Sequence, residues 1–194
     1  MERLGVFGGT FDPIHVGHLV AAVNVRHSLK LDRVLLVVAN VPWQKSDRRV
    51  TSAEDRYAMV AEAVAGTEGI EASRLEIDRG GDSYTADTLE QLTAQDPSRQ
   101  LFLVVGADVG VELGTWERPD VVRRLAALAV VDRPGAPDPV LDPGWRVERV
   151  PIPHLDVSGS DLRARAAAGQ PLDWLVPPPV LARIRERNLY AGGR

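Results

Sequence analysis

Two periodicities alternate along this chain. Leu4–Phe7 is a short apolar run that stops at Gly8-Gly9, which predicts a buried strand. His18–Leu29 places Leu19, Val20, Ala22 and Val23 among polar residues and predicts a helix. Val34–Val38, all β-branched or leucine, is a second strand. Asn40–Arg49, with Pro42 and mixed charge, reads as a loop. Thr51-Ser52-Ala53-Glu54 has the spacing of a capping box and opens a helix that runs to about Val64. Ile70–Ile77 includes a weak strand, Arg79-Gly80-Gly81-Asp82 a turn, and Thr85–Gln95 a helix. Leu101–Val105 is the clearest central strand and ends at Gly106. Pro119–Leu125 is a short helix with proline in its first turn, and Leu128–Val131 is a strand. The four prolines of Pro134–Pro143 mark a surface connection. Val147–Val150 is a last short strand, followed by helices over Ser160–Ala168 and Pro179–Arg187.

Strands separated by helices imply βαβ units. The expected fold is α/β, a doubly wound, Rossmann-like parallel sheet with helices on both faces. Residues 1–194 are expected to form a single domain, with a small C-terminal helical elaboration over about 158–190. Such sheets bind ligands outside the carboxyl ends of their strands. That rule singles out the loops after Phe7, Val38, Ile77, Val105 and Val150.

Composition narrows the function classes. Lysine and arginine number 23 against 27 aspartates and glutamates, a net charge of −4, so nothing favours nucleic acid as a partner. The absence of cysteine excludes a disulfide framework, a thiolate zinc site and a cysteine nucleophile. No apolar run approaches the ~20 residues of a membrane span, and the apolar stretch in MERLGVFGG is too short for a signal peptide. The expectation is a soluble cytoplasmic protein without a membrane partner.

The first strand runs into Gly8-Gly9-Thr10-Phe11-Asp12-Pro13-Ile14-His15-Val16-Gly17-His18. Glycines after a strand let backbone approach a phosphate closely. A helix start offers N–H groups and partial positive charge to an anion. His15 and His18, three apart, can both face that anion, and an imidazole can stabilise charge as a triphosphate breaks. Neither GxxxxGK[ST] nor GxGxxG is present.

This segment resembles the HxGH signature of the nucleotidyltransferase superfamily, and the longer string GGTFDPIHVGH resembles the nicotinate-nucleotide adenylyltransferase family. The resemblance covers nearly the whole chain. It implies adenylyl transfer from ATP to nicotinate mononucleotide, giving deamido-NAD and pyrophosphate in NAD biosynthesis. Ser83-Tyr84-Thr85-Ala86-Asp87-Thr88-Leu89 is similar to the family's SYTxDTL segment. Gly106-Ala107-Asp108 with Trp116 matches its GxDxxxxxxxW pattern, although a tryptophan there can equally be a packed core aromatic. Val157-Ser158-Gly159-Ser160-Asp161-Leu162-Arg163 resembles ISSTxIR, with Gly159 and Ser160 replacing a serine and a threonine. Pro42-Trp43-Gln44-Lys45 stands where the family has PPHK, with Gln44 in place of histidine.

The resemblance implies a catalytic set of His15, His18, Lys45 and Arg163. It implies ATP contacts from Gly8, Gly9, Thr10, Phe11, His15, Gly17, His18, Gly106, Asp108, Ser158, Ser160 and Arg163. Acceptor contacts would come from Thr10, Lys45, Tyr84, Thr85, Trp116 and Glu117. No protein metal site is expected; Mg²⁺ would be carried with ATP, because no all-carboxylate cage is visible. Homo-oligomerisation is left open. Three alternatives stand beside this one. Two are acceptors of the same superfamily, nicotinamide mononucleotide and pantetheine phosphate. The third is a nucleotide-binding regulator without turnover.

Overall fold

The computed structural model describes residues 1–42, 50–107, 113–131, 143–153 and 155–191. Six strands form one sheet: β1 (Arg3–Gly9), β2 (Arg33–Val38), β3 (Ile70–Ser73), β4 (Gln100–Gly106), β5 (Ala126–Val131) and β6 (Val147–Val150). Their order is β3-β2-β1-β4-β5-β6, and every pairing is parallel. The helices are α1 (Val16–Ser28), α2 (Ala53–Val64), α3 (Leu75–Arg79), α4 (Thr85–Gln95), α5 (Pro119–Leu125), α6 (Gly159–Ala167) and α7 (Pro178–Glu186). The chain winds outward from β1 through β2 and β3, then returns to start the other half at β4. The sheet is therefore doubly wound, as the alternation of strand and helix patterns implies.

Strand pleating sorts the core into two layers. On β2, Val34, Leu36 and Val38 face a cluster with Ala22 and Val25 of α1, Met59 and Val60 of α2, Leu162 of α6, and Val180 and Ile184 of α7. The alternate residues Leu35 and Val37 face the opposite cluster, with Leu89 and Leu92 of α4 and Val121 and Val122 of α5. Because both sheet faces are covered, the strands read as continuous apolar runs rather than alternating ones. The C-terminal helices share the first layer's core, and Arg183 of α7 is ion-paired with Glu62 of α2.

One local expectation, the cap of α2, needs correction, and the bounds of two other elements are sharpened. The cap of α2 is one residue later than the Thr51…Glu54 box: Ser52 is the N-cap, and its Oγ accepts from the Asp55 N–H at 3.1 Å. Thr51 is committed elsewhere, its N–H donating to Asp12 and its carbonyl accepting from Arg56. The strand in Ile70–Ile77 stops at Ser73. Leu75–Arg79 is helical instead, which turns Glu76 inward to accept a 2.6 Å hydrogen bond from the Thr88 hydroxyl. Helix α1 begins two residues before the expected His18. Most of the Pro134–Pro143 connection, and the end of the Asn40–Arg49 loop, lie outside the described residues.

At the amino ends of the strands, Glu2 bridges Arg33 and Arg99, each at 2.6 Å. This joins the starts of β1, β2 and β4 at the end of the sheet away from the candidate loops.

Candidate active site

The crevice where β1 and β4 part company opens into a cleft of about 620 Å³ at the carboxyl ends of the strands. It is lined by Gly8–Pro13, His15, Gly17 and His18 from the β1–α1 connection, and by Gly106 from the end of β4. Ser83–Thr85 enter from the start of α4, Trp116 and Glu117 from the loop before α5, and Val157–Ser160 with Arg163 from α6.

The β1–α1 loop owes its shape to close contacts. A Cβ on Gly9 would lie 2.8–3.0 Å from the Phe11 ring, so the glycine makes room for an aromatic side chain. Gly17 is similarly closed in by Val157 and the His15 ring. At Gly8 nothing lies within 4 Å of the Cβ position, so this is the glycine that keeps a face of the loop open. Phe11 adopts φ 50, an unusual left-handed conformation for a bulky residue. Its ring is thereby set 5.0 Å from that of His18, edge to face.

His18 is held on several sides. Its ring stacks on His15 with centroids 3.8 Å apart, and Phe7 packs edge-on at 5.9 Å. His15 is the N-cap of α1, and its backbone N–H donates to His18 Nδ1 at 3.3 Å. An accepting Nδ1 leaves the proton of the neutral ring on Nε2. The donor that His18 offers is therefore Nε2–H.

Helix α6 brings the second group of polar atoms. Ser158 is its N-cap: Oγ accepts from the Asp161 N–H at 3.2 Å and lies 3.2 Å from Ser160 Oγ. The serine thus caps its own helix as well as facing the cleft. Arg163 Nη1 donates to the Asp12 carbonyl at 2.7 Å, and its guanidinium keeps further N–H donors. Gly159, the departure from ISSTxIR, would place a Cβ 3.2 Å from that same carbonyl oxygen. The glycine permits α6 to pack closely on the β1–α1 loop, so its missing hydroxyl goes with a tighter backbone approach.

On the α4 side, Tyr84 is the N-cap and Thr85 the first helical residue. The Tyr84 hydroxyl is pushed above its ordinary pKa, first by burial and then by the carboxylates of Asp82, Glu117 and Asp87. This end of the cleft is acidic in its side chains. Arg118 sits beyond Glu117 in a left-handed conformation, ion-paired with Asp87 and Glu90 of α4. Trp116 lines the cleft and also packs on the core beneath it, and its indole Nε1 is buried. The packed-core reading of that residue holds, and its place at the cleft leaves a role toward the acceptor as a proposal.

Of the sequence candidates, Gly8, Gly9, Thr10, Phe11, His15, Gly17, His18, Tyr84, Thr85, Gly106, Trp116, Glu117, Ser158, Ser160 and Arg163 share this one cleft. Lys45 and Asp108 lie outside the described residues, as do Trp43 and Gln44. Sequence reasoning missed a buried group beneath the loop. Asp12 is 4% exposed, and its Oδ1 accepts from the Tyr190 hydroxyl at 2.7 Å. Burial is the main reason that the Tyr190 hydroxyl titrates far above its ordinary value, with Asp12 adding to it. Arg56 is 1% exposed and donates to three backbone carbonyls. In the sequence Arg56 is one arginine in an amphipathic helix, and no local pattern distinguishes it from a solvated one.

The family model for cytidylyltransferase-like proteins matches residues 6–165. Over 191 residues the chain is 45% identical to a protein of Corynebacterium kroppenstedtii named "Probable nicotinate-nucleotide adenylyltransferase", covering 97% of this chain and 90% of that one. A Streptomyces coelicolor protein of the same name is 46% identical over 187 residues, covering 95% and 99%. In fold, the chain is similar to Plasmodium falciparum nicotinic acid mononucleotide adenylyltransferase complexed with NaAD. That match has a TM-score of 0.82 at 18% identity and covers 98% of each chain.

Proposed function

The chain belongs to the cytidylyltransferase-like family and, within it, to the nicotinate-nucleotide adenylyltransferases, and from that premise we propose how its cleft works. The protein transfers the adenylyl group of ATP to nicotinate mononucleotide, giving deamido-NAD and pyrophosphate. The observation that carries this reading is convergence. Segments spread from Gly8 to Arg163 meet around one cleft at the switch point of the sheet, and those of the β1–α1 connection and α6 present groups suited to anions.

The acceptor's phosphate oxygen attacks the α-phosphorus of ATP in line, the new P–O bond forms, and the bond to the β-phosphate oxygen breaks to release pyrophosphate. No protein nucleophile is required, so catalysis rests on positioning and charge stabilisation. Gly8, Gly9 and the start of α1 receive the phosphates. His15, His18, Ser160 and Arg163 donate to them, and Lys45 is assigned to the same phosphates. Charge grows on the leaving pyrophosphate, and a fixed Nε2–H from His18 stabilises that charge more than it stabilises bound ATP. Gly106 and Asp108 meet the nucleoside. Tyr84, Thr85, Trp116 and Glu117 form the acceptor side, where backbone N–H groups at the start of α4 receive the nicotinate carboxylate.

Among the described residues no group of three or more histidines, aspartates or glutamates is placed to hold a metal ion. The cleft's donor set of imidazole, hydroxyl and guanidinium groups suits a nucleotide that brings its own Mg²⁺. The ion, when bound, neutralises phosphate charge. No helix among the described residues is long and apolar enough to cross a membrane, and the substrates of this reading are small molecules of the cytoplasm.

The test is purified protein with ATP and Mg²⁺, assayed for pyrophosphate against a panel of acceptors. Nicotinate mononucleotide is expected to exceed nicotinamide mononucleotide in kcat/KM by at least ~10-fold, about 1.4 kcal/mol. Equal or reversed preference would remove the nicotinate assignment and leave adenylyl transfer. Pyrophosphate release only with pantetheine phosphate would reassign the acceptor, and no turnover with any acceptor would leave a nucleotide-binding regulator.

A further inference from the structure

Among the described residues Arg56 is the largest of the fully buried side chains, yet it does not line the cleft. Its Nη1 donates to the Thr10 carbonyl at 2.8 Å, in the loop after β1. Its Nη2 donates to the Asn40 carbonyl at 3.0 Å, in the loop after β2. Its Nε donates to the Thr51 carbonyl at 2.8 Å, at the start of α2. The loop after β1, the loop after β2 and the start of α2 itself are therefore tied to one planar group.

The chain of contacts continues beyond Asn40. The Asn40 N–H donates to Ser83 Oγ at 2.8 Å, and its side-chain amide donates to the Gly81 carbonyl at 2.9 Å. The Ser83 N–H returns a bond to the Val41 carbonyl at 3.1 Å. Ser83 leads directly into Tyr84 and Thr85, on the acceptor side. A continuous path, Thr10–Arg56–Asn40–Ser83, thus joins the nucleotide loop to the acceptor loop, with the buried Arg56 in its middle.

An arginine is costly to bury, and burial lowers the pKa of Arg56, with Asp12 and Tyr190 opposing the shift. Packing alone would be met as well by an apolar side chain. What an apolar residue cannot do is hold three carbonyls at fixed angles. The guanidinium does so because its donors diverge in one rigid plane. In-line transfer depends on that geometry, since the attacking oxygen must sit about 3–3.5 Å from the phosphorus and on the far side from the leaving group. Each loop can bind its own substrate without the other, but the reaction needs both at a set spacing.

We propose that Arg56 is a positioning residue that sets the spacing of the nucleotide loop after β1 against the acceptor loop at α4, acting through Thr10, Asn40 and Ser83. The proposal rests on the adenylyl-transfer reading above. Its signature is a loss in kcat with each substrate still binding on its own.

The experiment uses full-length wild-type protein, Arg56→Lys, Ser83→Ala and the double variant. The dissociation constants of nicotinate mononucleotide and of a non-reactive ATP analogue are measured separately by calorimetry, alongside kcat and Tm. Arg56→Lys keeps the charge but cannot reach three carbonyls at once, and kcat is expected to fall about 30-fold or more. Ser83→Ala removes the side-chain bond of the far link, leaving the Asn40–Gly81 and Ser83–Val41 bonds, and is expected to lower kcat about 10-fold, with each dissociation constant within about 3-fold of wild type. The double variant should be no more than about 3-fold slower than Arg56→Lys, because both cut one path. If Arg56→Lys does not fold, Ser83→Ala carries the test alone. Loss confined to the dissociation constants, a lowered Tm with kcat kept within about 3-fold, or multiplicative losses in the double variant would each overturn the proposal. Wild-type turnover is established first. Its absence overturns the underlying reading and the proposal together, whereas active wild type with unaltered variants overturns the proposal alone.

Discussion

At the scale of single residues, the proposed mechanism rests most heavily on His18. The His15 N–H fixes its tautomer, and the rings of His15, Phe7 and Phe11 fix its plane. A donor held this way costs no reorganisation when charge develops on the leaving group. His18→Ala is therefore expected to lower kcat by roughly 10²–10³, the usual loss for one preorganised donor. ATP affinity should change much less, because the glycine loop and the start of α1 remain. The ring also packs against three others, so a stability cost of about 1–2 kcal/mol accompanies the change. Single-turnover kinetics with a melting curve separate the two effects. Near-normal turnover would make His18 a bystander.

At the scale of elements, the helices that open on the cleft are begun in different ways. Helix α1 is capped by a histidine that also lines the cleft, and α6 by a serine that does the same. Helix α2 lies outside the cleft and is capped by Ser52, whose hydroxyl both accepts from the Asp55 N–H and donates to its carboxylate. Ser52→Ala should lower stability by about 1 kcal/mol, whereas Ser52→Asn should cost only a few tenths, because asparagine caps as well. Denaturant melts of the two variants check this ranking. Equal losses would mean that Ser52 does not act as the cap. Thr51, which has the better sequence signature, is taken by Asp12 and Arg56. Its backbone N–H and carbonyl bond those two residues, and the cap falls one residue later, at Ser52.

At the scale of the whole molecule, the two ends of the sheet divide the work. The carboxyl ends carry open loops and the cleft. The amino ends are tied by Glu2 between Arg33 and Arg99. The Glu2 carboxyl is held below its ordinary value of 4.5, first by the Arg33 hydrogen bond, with burial opposing and Arg99 adding. A carboxylate with a depressed folded pKa stabilises the fold above its unfolded pKa and loses that contribution as pH falls through the folded one. Glu2→Gln should therefore cost about 1 kcal/mol at neutral pH. The gap from wild type should close progressively as pH drops below 4.5. Tm measured against pH for both proteins tests the sign, and a gap that widened in acid would refute it.

The fold class and most element positions were legible in the sequence, because helix and strand periods, prolines and glycines are local signals. Thr85–Gln95 and Pro119–Leu125 are helices over the expected residues. The recurring motifs also brought out the segments that meet at the cleft. Only the tertiary structure decided which partners those segments hold. Glu76 sits in a short helix and accepts from a buried hydroxyl on α4, a partner that no local pattern names. Gly159 is explained by a carbonyl 147 positions earlier in the chain, at Asp12. Arg56 and Tyr190 carry no sequence mark at all, since their importance lies in which distant backbone and carboxylate groups they meet. Local periodicity is set by each segment's own geometry, but a buried hydrogen bond depends on two segments at once, and only the folded chain brings them together.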